Sequence, residues 1–103
     1  MRIIAFDPGY DRLGVAVLER VNGKEVLLFS TCVQTSKTLD LPDRLLAVGA
    51  SVTKIITEYA PQGVALEALF FNKNVKSMIG VAQVRGIILY IAKQHGCSVY
   101  EFG

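Results

Sequence analysis

Two carboxylates in this 103-residue chain stand where apolar runs stop, and that placement is what allows them to do chemistry. The stretch "RIIAFD" is apolar up to Asp7, and Pro8-Gly9 then breaks it. The stretch "GVALE" is apolar up to Glu67. If the two are parallel neighbours in one sheet, both acids emerge at the same carboxyl edge, where open α/β sheets place their ligands. Neighbouring strands run about 4.8 Å apart, so the two anions repel unless one is protonated or a cation joins them. A hard divalent ion with oxygen ligands, Mg²⁺ or Mn²⁺, is the natural third member. Such an ion activates water and neutralises charge on a transferring phosphoryl group, so phosphodiester hydrolysis is the expected reaction class. Spacing alone also admits a structural reading, in which Asp7 opens an Asx-type turn with Pro8-Gly9 and Glu67 is merely exposed past a strand end.

The residues after Glu67 point to a substrate. Phe70 and Phe71 are adjacent aromatics in a polar stretch, and neighbours in a chain do not easily both face inward. One reading folds them back over the core. The other has Phe70 stack on an unpaired base while Phe71 packs and Lys73 and Lys76 contact phosphates. Elsewhere, Asp11 and Arg12 sit in the turn after the first strand, where a local ion pair is expected and a phosphate contact from Arg12 is the alternative. Glu101 is a further acid at a strand end with a path toward the site. His95, just before Gly96, suits a helix C-terminus.

The elements that must position these groups follow from periodicity. Residues 13–19 read as a second strand, Asn22-Gly23 as a hairpin turn and 25–34 as a third, antiparallel strand. From Leu41 the apolar residues fall at 41, 45, 48, 52, 55 and 59, one stripe on a helix. Asp40 caps that helix, Pro42 suits its first turn and Pro61 ends it. A right-handed crossover then lays 63–67 parallel to the first strand. Residues 75–95 form a second helix with Asn74 as cap and Gly96 as stop, and 97–102 a fifth strand. The second helix is apolar around more than one face, which suits packing on the sheet by one side and on a second subunit by the other. Met78, Val81, Ala82 and Arg85 are assigned to that second surface, with a sheet-edge charge as the alternative for Arg85. The fold class is α/β, a five-stranded mixed sheet with strands 1–3 as an antiparallel meander and strands 4 and 5 parallel to strand 1.

Composition bounds the remainder. A chain that is 51% hydrophobic fills one small core, so residues 1–103 make a single domain. No repeat or low-complexity tract appears. A net charge of +2 permits a nucleic-acid partner without indicating one. Cys32 and Cys97 both lie in apolar β-like runs, as small buried hydrophobes of a reducing compartment would. The N-terminal apolar run is too short for a signal peptide, and "GIILYIA" is far short of the roughly 20 residues that span a bilayer. A soluble, cytoplasmic protein is expected.

"FDPGYDRLGVAV" (6–17), "LEALFFNKNVKS" (66–77) and "QVRG" (83–86) together resemble the RuvC-type Holliday junction resolvases, over essentially the whole chain. The opening motif is also shared by sugar-kinase and actin-like ATPases and by YqgF-type RNA nucleases; the second motif is more specific. The resemblance implies a ribonuclease H-like fold, Asp7 and Glu67 as ligands of Mg²⁺ or Mn²⁺, and a homodimer that pairs through its second helix and nicks a four-way DNA junction symmetrically. It implies Phe70 as the aromatic that probes an unpaired base, DNA contact from Lys73, Asn74 and Lys76, and a branch-migration helicase as partner. The family adds two acids from a late C-terminal helix, before which this sequence ends, and does not use the Glu101 position. The domain is therefore expected to be incomplete at its C-terminus, a truncated or short form of weak or absent nuclease activity. A YqgF-type RNA nuclease and a non-catalytic branched-DNA-binding dimer are the alternatives.

Overall fold

The computed structural model describes residues 1–9, 11–68 and 75–103, with the side chains of 75–77 also outside the description. Its elements are β1 (Arg2–Pro8), β2 (Arg12–Val21), β3 (Lys24–Gln34), α1 (Leu41–Tyr59), β4 (Gly63–Glu67), α2 (Val75–Gln94) and β5 (Ser98–Phe102). The sheet order is β3-β2-β1-β4-β5, with β1 antiparallel to β2 and parallel to β4, and β4 parallel to β5. This is the expected meander followed by two parallel strands.

Local chemistry explains the boundaries. Asn22 and Gly23 both take positive φ, 52° and 77°, the pair of left-handed residues that a two-residue type I′ hairpin needs to match strand twist. Asp40 accepts from the Asp43 N–H at 3.1 Å, which satisfies one of the orphan donors at the start of α1, and Pro42 fits that first turn. The helix stops one residue before Pro61 because Ala60 turns left-handed, φ 46° and ψ 57°, with its N–H returned to the Ile56 carbonyl at 2.8 Å. At the end of α2, His95 Nδ1 lies 3.0 Å from the Ile91 carbonyl, as expected for a residue closing a helix. Along β2 and β3 the pairing passes from Val17↔Phe29 to Leu18↔Leu27, so Leu28 is the extra residue of a bulge.

Both helices pack on one face of the sheet. Ile4, Phe6, Leu13, Val15, Val17, Val64 and Leu66 from the strands bury against Val48, Val52, Ile55 and Ile56 of α1 and Ile88, Ile91 and Ala92 of α2. Strand alternation then puts Ile3, Ala5 and Asp7 of β1 on the opposite face, with Ala65 and Glu67 of β4. The end of the sheet away from the acids is tied by Arg2, whose Nη1 donates to the Tyr59 carbonyl at 2.7 Å while its backbone N–H donates to Gln62 Oε1 at 2.7 Å. Phe29 of β3 stacks on Tyr59 with ring centroids 5.5 Å apart. Among the described residues no helix is long and apolar enough to cross a membrane.

Two local expectations are corrected. Asp11 does not pair with Arg12; Arg44 Nη2 reaches it from α1 at 3.1 Å and Lys37 Nζ at 3.6 Å, while Arg44 Nε donates to Thr35 Oγ1. Cys97 is buried but Cys32 is exposed, because β3 is the outer strand.

The left-handed Ala60 yields a stability prediction. Relief of a Cβ in αL is worth about 1–2 kcal/mol, against about 0.4–1 kcal/mol of extra unfolded-chain entropy when glycine replaces alanine. Strain relief wins, so Ala60→Gly is expected to raise the urea midpoint with an unchanged slope, a gain of roughly 0.5–1 kcal/mol.

Candidate active site

Asp7 reaches the open face of the sheet on the second-last residue of β1, and its antiparallel partner is Gly14 of β2. A Cβ at Gly14 would lie 3.6 Å from Asp7 Cβ, so the glycine leaves free the space beside the carboxylate. The parallel register of β1 and β4 runs to Phe6↔Leu66, which brings the next residues, Asp7 and Glu67, side by side past the end of the ladder. Asp7 also lines a hollow of ≈ 300 Å³ with Ala5, Gly14, Ala16 and Phe102. The larger groove, ≈ 800 Å³ between α1 and α2, is lined by residues such as Leu45, Leu46, Ile87 and Tyr90 and holds no acid.

The two carboxyl groups lie close enough to perturb each other. The Glu67 carboxyl is accordingly raised above its usual range, first by the hydrogen bond with Asp7, then by the like charge of Asp7 and last by a small loss of solvation. This is the repulsion expected of two acids at adjacent parallel strand ends. The donor set is all oxygen, as a hard cation prefers, and one or two carboxylates completed by water and phosphate oxygens are the usual protein share of a Mg²⁺ site. Among the described residues no group of three His, Cys, Asp or Glu converges anywhere.

The other proposed site residues are described only in part. Phe70, Phe71, Lys73 and Asn74 lie outside the described residues, and of Lys76 only the backbone, in α2, is described. Met78, Val81 and Ala82 are partly buried along α2. Arg85 turns to the sheet edge: its Nη2 lies 2.6 Å from Glu101 Oε1 and its Nε donates to the Glu67 carbonyl at 3.4 Å. Glu101 consequently does not approach the acid pair. It is the register partner of Leu66, which is buried toward the helices, so it occupies the other face of the sheet.

Sequence reasoning missed the supports at this edge, Arg44 with Asp11 and Arg85 with Glu101. A signal existed for the second: Arg85 is a lone charge amid the apolar positions of α2, and such a charge calls for an internal partner.

The chain is similar to known proteins over nearly its whole length. Residues 3–103 match the family model described as "Crossover junction endodeoxyribonuclease RuvC". Proteins of that name from Thermosipho melanesiensis and Finegoldia magna are each 39% identical over 102 residues, which is 99% of this chain but 65% and 62% of theirs. A solved structure, Thermus thermophilus RuvC in complex with Holliday junction substrate, superposes with a TM-score of 0.91 at 28% identity, covering all of this chain and 64% of the other. The chain thus spans a little under two thirds of the relatives it matches, and over that span it belongs to the RuvC family of crossover junction endodeoxyribonucleases.

Proposed function

We propose that this chain supplies the Asp7–Glu67 part of the cation site of an endonuclease that resolves four-way DNA junctions by phosphodiester hydrolysis. The observation that carries the reading is the parallel register that sets Asp7 beside Glu67 on the face of the sheet opposite the helices, in a chain of the RuvC family. Bound there, Mg²⁺ or Mn²⁺ would supply an activated water and neutralise charge on the scissile phosphate. The protein's part is to hold two carboxylates in one place and to keep the Gly14 side open for a phosphate. Two carboxylates offset one ion rather than a pair 3.5–4 Å apart, so turnover by these residues alone is expected to be slow.

Around that centre, the reading assigns Phe70 to stack on an unpaired base near the crossover, Phe71 to pack, and Lys73, Asn74 and Lys76 to the backbone of the junction. It pairs two chains through α2, with Met78, Val81 and Ala82 in the contact, so that two sites on one two-fold axis nick symmetrically. A branch-migration helicase is the protein partner of that assembly.

A synthetic four-way junction tests this. The chain is expected to retain it in preference to duplex DNA of equal length and to structured RNA, and to nick it slowly in Mg²⁺; Glu67→Gln should lower the nicking rate by about 100-fold or more while leaving junction binding in place. Preference for the RNA would favour an RNA nuclease. Junction binding with nicking absent, or equal in Glu67→Gln, would leave a branched-DNA-binding dimer without chemistry.

A second expectation concerns pH. Because the folded carboxyl of Glu67 is raised, its contribution to cation-free stability is full at pH below the ordinary glutamate range and is lost as pH rises through the raised value. A divalent ion competes with that same proton. A ¹³C titration of the Glu67 carboxyl should show a raised midpoint that saturating Mg²⁺ lowers and that Asp7→Asn brings back down. A midpoint unmoved by Mg²⁺ would count against a cation at this pair.

A further inference from the structure

Helix α2 delivers one guanidinium to the strand end that carries Glu67. The Arg85 side chain is 13% exposed although its partner Glu101 is 57% exposed, so the cation is held under the sheet edge while the acid reaches it from outside. It makes two contacts, Nη2 to Glu101 Oε1 at 2.6 Å and Nε to the Glu67 carbonyl at 3.4 Å. Strand β4 is running out of backbone partners at this point. The β1 ladder ends at Phe6↔Leu66, and beyond it the Ala68 N–H donates to the Phe102 carbonyl at 2.6 Å. The peptide group between Glu67 and Ala68 is thus fixed by β5 through its N–H and by Arg85 through its carbonyl. Side chains alternate across a strand, so fixing this peptide on the helix side sets where the Glu67 carboxyl lands on the open side.

We propose that Arg85 is a positioning residue for Glu67: the relay Glu101–Arg85–Glu67 carbonyl holds the end of β4 so that the Glu67 carboxyl meets Asp7. The proposal rests on the reading of Asp7 and Glu67 as cation ligands, and Arg85 itself touches neither the ion nor the substrate. It also requires an arginine. A planar guanidinium presents its Nε and Nη2 donors as a rigid fork that holds a carbonyl and a carboxylate at a fixed spacing, whereas a lysine ammonium is a point charge on a flexible stem.

The test uses the isotopically labelled 103-residue chain with Mn²⁺ as probe, reading amide hydrogen exchange and the Mn²⁺ concentration that broadens the Asp7 and Glu67 signals. Arg85→Lys, which keeps the charge and loses the fork, should speed exchange at Ala68 and weaken Mn²⁺ binding about 10-fold, while Ile4 and Val17 in the β1–β2 ladder exchange at the parent rate. Glu101→Gln should move both readouts the same way by less. Parental Ala68 exchange and Mn²⁺ midpoint in both folded variants would overturn the proposal, and so would faster exchange with unchanged Mn²⁺ binding, which makes Arg85 a strand-end staple only. If Arg85→Lys fails to fold, Glu101→Gln decides by the same criteria. A parent chain that binds no Mn²⁺ sinks the cation reading of Asp7 and Glu67 instead, and Ala68 exchange then decides the strand-end role by itself.

Discussion

Two like charges held at adjacent strand ends are the constraint from which the rest of this edge of the molecule follows. Parallel pairing of β1 with β4 puts Asp7 and Glu67 on one face, and a slip of one residue would turn Glu67 into the helix-side core. The register is fixed far from the acids. A Cβ at Gly63 would come within 2.7 Å of Ile3 Cδ1 and 2.8 Å of Tyr100 Cε2, so β4 enters the sheet at the one residue with no side chain. Ile3 and Tyr100 close over that gap, and Val64 and Leu66 enter the core with no exposure. Four residues after the glycine, the register delivers Glu67 to Asp7 regardless of what the carboxylates prefer.

Having both helices on one side divides the labour of the sheet. The helix-side residues supply burial, and the alternate positions are released from it: Ala5, Gly14, Ala16 and Ala65 are small and leave the acids accessible. Hydrophobic stabilisation is thereby generated one strand-thickness away from the charged pair, so the repulsion is tolerated without placing either acid in the core.

Most of the scaffold was legible because it rests on period and punctuation. The 41–59 stripe, the Asp40 cap and the Asn22-Gly23 turn are local signals, and the structure uses each of them. What stayed hidden depends on distance or on an edge. Asp11 is next to Arg12 in sequence, yet Arg44, 33 residues away, takes it, because α1 begins over the β1–β2 turn. Cys32 sits in an apolar run that implies burial, but β3 is outermost and leaves even Leu27 57% exposed, so residue type there does not report environment. Glu101 was legible as an acid at a strand end and not by its face: every residue of β5 is exposed, so the alternation that separates the two sides elsewhere has no contrast to read.

The acid pair was legible as a pair, but the commitments of its neighbouring arginines were not. Of the arginines at this edge, two are committed elsewhere, Arg44 to Asp11 and Thr35, Arg85 to Glu101 and the Glu67 backbone. Among the described residues neither Asp7 nor Glu67 takes part in a salt bridge, although the net charge of the chain is positive. An arginine paired directly with Glu67 would lower its carboxyl and fill the space a cation needs. Because these two arginines are paired with Asp11 and Glu101 instead, they stiffen the strand ends without quenching the acids. The mutual repulsion of Asp7 and Glu67 is thereby kept on the face of the sheet opposite the helices.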